Sequence, residues 1–283
     1  MSLDIVKKDN IKVALCFFGL ARSLNYTIES IEKNIFSALK DNGIEYKTFF
    51  HTYEMDGMYI NKRAKEVITK VDNNQYKLLK PDYFKMDSDK ETRSKLNLNS
   101  YRSKPDPWGT GYETVDFFLL GQYSKTQSYN MIKNSGIDFD YVIYLRPDMK
   151  YLSPLNIRLF TLVTDEIICM PDFAVYKGVN DRFSICNSKN YHVYGNTFGK
   201  LLEYSKIRPL HSETFLRDLL NSNDIRWIYI HFNFNRVRAN RQTVFEHFKK
   251  KNSSKLNPTK SVEVKDGLRN ILLNIYYYSN KDV

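Results

Sequence analysis

The feature that most constrains this chain is a run near its start, Ile11 to Phe18 (IKVALCFF), apolar except for Lys12 and stopped by Gly19. An apolar run of that length without alternation reads as a strand buried on both faces. Leu24, Ile28, Ile31, Ile35 and Leu39 then recur at helical spacing, with Ser23 or Asn25 available to cap the start and Gly43 placed to close the end. Glu45 to Tyr53 (EYKTFFHTY) alternates as a second strand. Strand, glycine turn, helix and strand form a βαβ unit, whose crossover makes its two strands parallel. The fold class is therefore expected to be α/β.

Further along, Val115, Phe118, Leu119, Gln122, Tyr123, Thr126, Tyr129 and Ile132 keep a helical period that Asn134 and Gly136 close. Tyr141 to Leu145 (YVIYL) is a fully apolar strand running straight into Arg146-Pro147-Asp148. Glu166 to Met170 and Ile225 to Phe232 read as two more strands, with Ser212 to Asn221 as a capped amphipathic helix before the second. The pattern weakens between Tyr59 and Tyr112. A short helix is expected near Lys62 to Lys70, a strand around Gln75 to Leu79, and a long polar loop from Asp87 to Tyr112. Lys249 to Lys255 (KKKNSSK) reads as a basic linker, and Leu268, Ile271, Leu272 and Ile275 place a closing helix at Val262 to Tyr278.

Composition bears on partners. The formal charge of +11 favours an anionic one: a nucleotide, a phosphorylated substrate, nucleic acid or an acidic membrane surface. Hydrophobic residues at 42% and charged ones at 27% exclude wholesale disorder. The 21 Tyr and 18 Phe suit a sugar or base platform and equally suit plain core packing. Cys16, Cys169 and Cys186 are widely spaced with no CxxC pair. Neither a disulfide framework nor a zinc ribbon is expected, and a reducing compartment fits. The segment MSLDIVKKDN lacks an apolar signal core, and Val13 to Ala21 is far shorter than a membrane span. A soluble, cytoplasmic protein is expected, with peripheral membrane contact at most.

In an open parallel sheet, ligands bind beyond the carboxyl ends of the strands, and Asp148 follows such an end. Pro147 has no N–H, suits a strand terminus and fixes the relative direction of its charged neighbours. Asp148 could bind a divalent cation bridging two phosphates, and Arg146 could neutralise a diphosphate or hold Asp148. An ordinary strand-end ion pair fits the same residues equally. Gly19 to Ser23 (GLARS) opens a helix, where backbone N–H groups and the dipole favour an anion and Arg22 adds a phosphate fork. The segment is neither GxGxxG nor a P-loop, so an NAD-type or Walker-type site is not supported.

Asp181, in VNDRF, and Glu213, at a helix start in HSETF, are each candidate general bases toward a hydroxyl. An acid in a first helical turn also simply complements the dipole. The five histidines show no HExxH or HxxxH spacing, so a zinc site is not expected. His51 and His231 end strand-like runs and read more as hydrogen-bonded core groups than as ligands. Arg236, Arg238 and Arg241 form a basic cluster in an expected loop, able to hold phosphate or only to stay solvated.

Taken in order, FFGLARS (Phe17 to Ser23), FFHTY (Phe49 to Tyr53), YVIYLRPDMKYLSPL (Tyr141 to Leu155), VNDRFSICNSKNYHVYG (Val179 to Gly195) and HSETFLRDLL (His211 to Leu220) resemble GT-A-type nucleotide-sugar-dependent glycosyltransferases. The resemblance is to a group of small cytosolic enzymes of bacteria and large DNA viruses, over roughly residues 11 to 240. It implies a GT-A-like, Rossmann-type mixed sheet, mostly parallel and flanked by helices. It implies one catalytic domain over 1–245, with a nucleotide-binding half at about 11–150 and an acceptor half at about 151–245. A linker (246–261) and a docked C-terminal helix (262–283) would follow. Gly19 and Arg22 would lie by the donor nucleotide. Arg146-Pro147-Asp148 stands in the place of the family's DxD motif, whose acids hold Mn²⁺ or Mg²⁺ on the sugar diphosphate. Here Arg146 replaces the first acid, leaving Asp148 as the one motif carboxylate and metal ligand. Asp181 and Glu213 fall where such enzymes place acceptor-orienting or catalytic acids.

The expected function is transfer of a sugar from a nucleotide-diphosphate donor, UDP by preference, to a hydroxyl of a glycan or glycolipid. Two other readings stay open. One is a basic nucleic-acid-binding protein, against which stands the lack of any RNP, KH, zinc-finger or helix-turn-helix signature, so no nucleic-acid partner is expected. The other is a catalytically silent glycosyltransferase-like binding module, which the missing first acid keeps alive.

Overall fold

The structure, a computed structural model, describes residues 10–68, 70–248 and 276–277. The opening unit is strand β1 (Lys12–Phe18), helix α1 (Leu24–Ile31), a π turn (Glu32–Phe36), helix α2 (Ser37–Lys40) and strand β2 (Glu45–Glu54). Gly43, at φ +67, closes the helical stretch. The π turn aims the Asn34 side chain at the chain beyond it, where its amide donates to the Tyr151 carbonyl at 2.8 Å.

A hairpin follows, β3 (Tyr59–Asn61) and β4 (Glu66–Ile68), then β5 (Tyr83–Ser88), α3 (Asp89–Leu96) and the long α4 (Glu113–Asn134). The second half holds β6 (Tyr141–Leu145), β7 (Met149–Tyr151), β8 (Ile167–Pro171), β9 (Phe183–Asn187), α5 (Tyr191–Gly195), α6 (Leu201–Ile207) and α7 (Ser212–Ser222). It ends with β10 (Arg226–Ile230), β11 (Phe234–Val237) and β12 (Thr243–Val244); β13 (Tyr276–Tyr277) comes last.

The main sheet has eight strands in the order β13-β10-β8-β9-β6-β1-β2-β5. Neighbours are parallel except where β9 pairs with β6 and β8 and where β13 pairs with β10. This is the expected mixed, mostly parallel sheet flanked by helices. The uninterrupted apolar character of β1 follows from its central place. Val13, Leu15 and Phe17 join one core with Leu24, Ile31 and Ile35. Ala14, Cys16 and Phe18 join the other with Ile132, Leu216 and Leu220. Each large apolar side chain so buried contributes about 1.5–3 kcal/mol.

Three expectations between 59 and 112 are corrected. In place of a helix at 62–70 stands the β3–β4 hairpin, with Ile60 opposite Val67. Its anchor is Glu66, fully buried, which accepts from the Ala239 N–H at 2.8 Å and from Arg238 at 3.3 Å. Tertiary ion pairing overrides local propensity there. Residues Gln75–Leu79 form a 3₁₀ turn, and the strand comes later as β5, half-buried and partly polar along its length. The expected loop contains α3, whose start carries a Ser-x-x-Glu capping signal: Ser88 Oγ accepts from the Glu91 N–H at 3.3 Å. The linker from 249 onward and most of the expected closing helix lie outside the described residues. Within that helix, Tyr276 and Tyr277 pair as strand with Tyr229 and Ile228.

Candidate active site

Register decides what gathers at the carboxyl edge of the sheet. In β1 and β6, Phe17 and Leu145 are opposite each other on parallel strands, so Gly19-Arg22 and Arg146-Asp148 emerge side by side. Leu145 also faces Phe183, the first residue of antiparallel β9, which puts Asp181 and Arg182 at the same edge. A second, three-stranded sheet, β12-β11-β7, sets Arg236 opposite Met149 and carries Arg236 and Arg238 over the site. These groups share one cleft of about 400 Å³, lined by Gly19, Arg22, Arg146, Asp181, Arg182, Glu213, Arg236 and Arg238 among others. That is an ordinary size for a small-molecule site. Of the six residues singled out from the sequence, five line the cleft; Asp148 lies beneath its wall.

Asp148 is 1% exposed and fully engaged. Arg146 donates to it through Nε and Nη2, each at 2.9 Å, and Arg22 Nη2 donates at 3.2 Å. Burial works against its charge, but Arg146 and then Arg22 hold its carboxyl well below the usual carboxylate range. Arg22 also donates through Nη1 to the Tyr59 hydroxyl, while its Nε is buried without a partner among the described residues. Arg236 is less well matched: its nearest carboxylate, Glu246, is 3.7 Å away and is held more closely by Arg182 at 2.7 Å. Its Nε, too, is buried and unpartnered. Burial, with Arg182 and Arg238 adding like charge, pushes Arg236 down to about 9.

The same cleft also carries the acids. Glu213 is 5% exposed, accepts from the Ser212 hydroxyl at 2.6 Å and sits 3.5 Å from His211 Nδ1. Burial first, and then the charge of Asp181, pushes its carboxyl up to about 7. Asp181 is half-buried and lies 3.7 Å from Arg182 Nε. The two acids are drawn together because the Val179 N–H donates to the Glu213 carbonyl at 3.1 Å. Gly178 makes that approach possible: a Cβ there would lie 2.0 Å from the Glu213 carbonyl oxygen. His211 stacks on Trp108, with ring centroids 5.3 Å apart, and Arg63 stands 5.4 Å from the same ring. That aromatic braces the wall rather than offering a free platform.

Two sequence expectations, about anions and metals, meet these contacts. The Gly19 N–H donates to Ser124 Oγ at 2.8 Å and the Ala21 N–H to Thr52 Oγ1 at 3.0 Å, so neither is free for an anion. Gly19 is needed instead for its φ of +101 beside the Arg146 guanidinium. Asp148 does not fit a divalent-metal ligand, because it is buried and three N–H groups of two guanidiniums already converge on its oxygens. Among the described residues, no group of three or more His, Cys, Asp or Glu side chains is placed to hold a metal ion.

Other candidates sort cleanly. His51 is wholly buried between Ser124 Oγ (2.8 Å) and Asp87 Oδ2 (3.1 Å), a core group. His231 contacts Asp172 at 3.3 Å. Arg241 departs from its two neighbours and donates to the Tyr26 hydroxyl at 2.6 Å, outside the cleft. The sequence reading missed Lys125, fully buried in α4 with its Nζ 4.2 Å from the Tyr194 ring centroid and without a hydrogen-bond partner among the described residues. Burial pushes its ammonium down to about 7, opposed chiefly by the charge of Asp181. No sequence signal marks it, since it sits mid-helix among polar residues.

No protein-family model and no curated protein matches the chain. Among solved structures it is similar to the galactosyltransferase LgtC in complex with donor and acceptor sugar analogs, at 12% identity and a TM-score of 0.39, covering 77% of this chain and 73% of that one. It is also similar to mouse xyloside xylosyltransferase 1 in its apo form, at 14% identity and a TM-score of 0.38, covering 77% and 84% respectively. These are likenesses at low values, and the sheet described above stands on its own strand order. No helix among the described residues is long and apolar enough to cross a membrane.

Proposed function

We propose that the protein transfers a sugar from a nucleotide-diphosphate donor, UDP-linked by preference, to a hydroxyl of a glycan or glycolipid. One observation carries the reading. The Gly19-Arg22 corner and the Arg146-Asp148 tip meet at one sheet edge, and Asp181 and Glu213 line the same cleft. A cationic floor and an acidic wall in one cleft match the two charge demands of sugar transfer. The bond between the anomeric carbon and the diphosphate oxygen breaks with its electron pair left on oxygen, where fixed arginines offset the developing charge. The acceptor oxygen bonds to the anomeric carbon and loses its proton. Asp181, the more exposed of the two acids, receives that proton, and Glu213 beside it orients the acceptor. Gly19 sets the turn that seats Arg22 and Arg146 by the donor phosphates.

The test is a panel of UDP- and GDP-sugars assayed by thermal shift and by release of the free nucleoside diphosphate. A donor that both raises Tm and is turned over, with turnover abolished in Asp181→Asn, supports the reading. Stabilisation by a donor without any turnover across acceptors would leave a silent binding module. An oligonucleotide that binds with steep salt dependence while no nucleotide sugar does would replace the reading with nucleic-acid binding.

A further inference from the structure

We propose that Arg22, Arg146, Arg236 and Arg238 hold the donor's pyrophosphate by guanidinium groups alone, without a divalent cation, and that Asp148 is their buried counter-ion. The inference rests on the glycosyltransferase reading for the identity of the anion. Its grounds are local. A metal ligand needs a lone pair its ion can reach, and Asp148 is 1% exposed with three of its about four lone-pair directions taken, by Arg146 at 2.9 Å twice and by Arg22 at 3.2 Å. A cation seated there would have to displace a guanidinium and sit among the remaining positive charges. The arginines, by contrast, have capacity to spare. All four line the cleft, and only Asp148 and Glu66 pair with them closely.

A planar, multi-donor guanidinium suits phosphate oxygens better than any other side chain. Asp148 has a separate task. It fixes Arg22 and Arg146 in one orientation, so the positive field is in place before the donor arrives and needs no rearrangement as the leaving group gains charge. Crowding among the cations leaves its mark on Arg236, the one most weakened by burial and like-charged neighbours.

The decisive experiment is calorimetric titration of the full chain with UDP, GDP and inorganic pyrophosphate, in excess EDTA and again with Mn²⁺. The expected result is that a nucleotide binds in EDTA with a Kd within about twofold of its value in Mn²⁺. Arg236→Ala should weaken binding about tenfold or more, and Arg236→Lys should recover part of the loss. Arg236 has no carboxylate closer than 3.7 Å, so the variant should keep its fold, checked by Tm; if it does not, Arg236→Gln carries the same expectation. A Kd about tenfold or more tighter with Mn²⁺ and collapsing in EDTA would overturn the cation-free site and leave the glycosyltransferase reading standing. Pyrophosphate bound in EDTA while both nucleotides are ignored would overturn that reading and leave the arginine site. Failure of all three to bind would overturn both.

Discussion

The two walls of the cleft are built by opposite means. The arginine floor sits on strand ends whose register is fixed by the central sheet, and its charges are locked in short ion pairs around buried Asp148. The acid wall rests on a loop and the first turn of α7, joined through the contact between Val179 and Glu213. There, the charge of Asp181 reaches Glu213, and Arg182 lies 3.7 Å from Asp181. The floor is pre-set to hold a fixed charge; on the wall, burial and the charge of Asp181 favour the protonated form of Glu213. The proposed sugar transfer would use both, the positive charge for the leaving group and a base for the acceptor.

Breaking the floor should have the largest effect. Asp148→Ala leaves buried Arg22 and partly exposed Arg146 without their counter-ion and should cost about 2–4 kcal/mol, read as a Tm drop on the order of 10 °C. A merely exposed metal ligand would cost far less, so this variant separates the two roles. Gly178→Ala tests the wall. Its Cβ would meet the Glu213 carbonyl oxygen at 2.0 Å, so α7 must shift, at about 1–3 kcal/mol. Turnover should fall much further than nucleotide affinity, which depends on the other wall.

Backbone strain comes next. Gly19→Ala forces an L side chain into φ +101 and should cost about 1–2 kcal/mol in chemical denaturation, with weakened nucleotide binding. The pH dependence of Glu213 is subtler. Its carboxyl titrates near 7 in the folded protein, above its ordinary 4.5, so the fold favours the protonated form. That contribution is fully present below the unfolded value and is lost as pH rises through about 7. The wild-type Tm should fall between about pH 5 and 8 more steeply than that of Glu213→Gln. Arg241→Ala, outside the cleft, should change stability by less than about 0.5 kcal/mol and leave nucleotide affinity untouched. An effect as large as that of Arg236→Ala would erase the boundary drawn between these neighbouring arginines.

Much of the floor was legible because its local signals are strong. Ile11 to Phe18 and Tyr141 to Leu145 are unbroken apolar runs, and each ends directly in charged residues. That the two strands lie side by side, which places Arg22 near Asp148, comes from their pairing in the sheet. The Ser88-x-x-Glu91 cap of α3 was equally present in the sequence, but its helix carries no apolar stripe to attract notice. Other parts had no local signal at all. Whether Arg236, Arg238 and Arg241 act together depends on the pairing of β11 with β7, which selects the first two and turns the third away. The helix expected near Lys62 gave way to a hairpin because Glu66 finds its partners, Arg238 and Ala239, far along the chain.

The sequence alone determined the α/β class, the two strand ends that matter and the supply of arginines, because hydrophobic period and charge are properties of neighbouring residues. Only the tertiary structure decided which charges meet. Arg22 and Asp148 are separated by 126 positions, and nothing in either segment states that the carboxylate will face a guanidinium instead of a metal. That outcome comes from strand register and burial, which bring the groups within hydrogen-bond distance and remove the water that would otherwise have screened them.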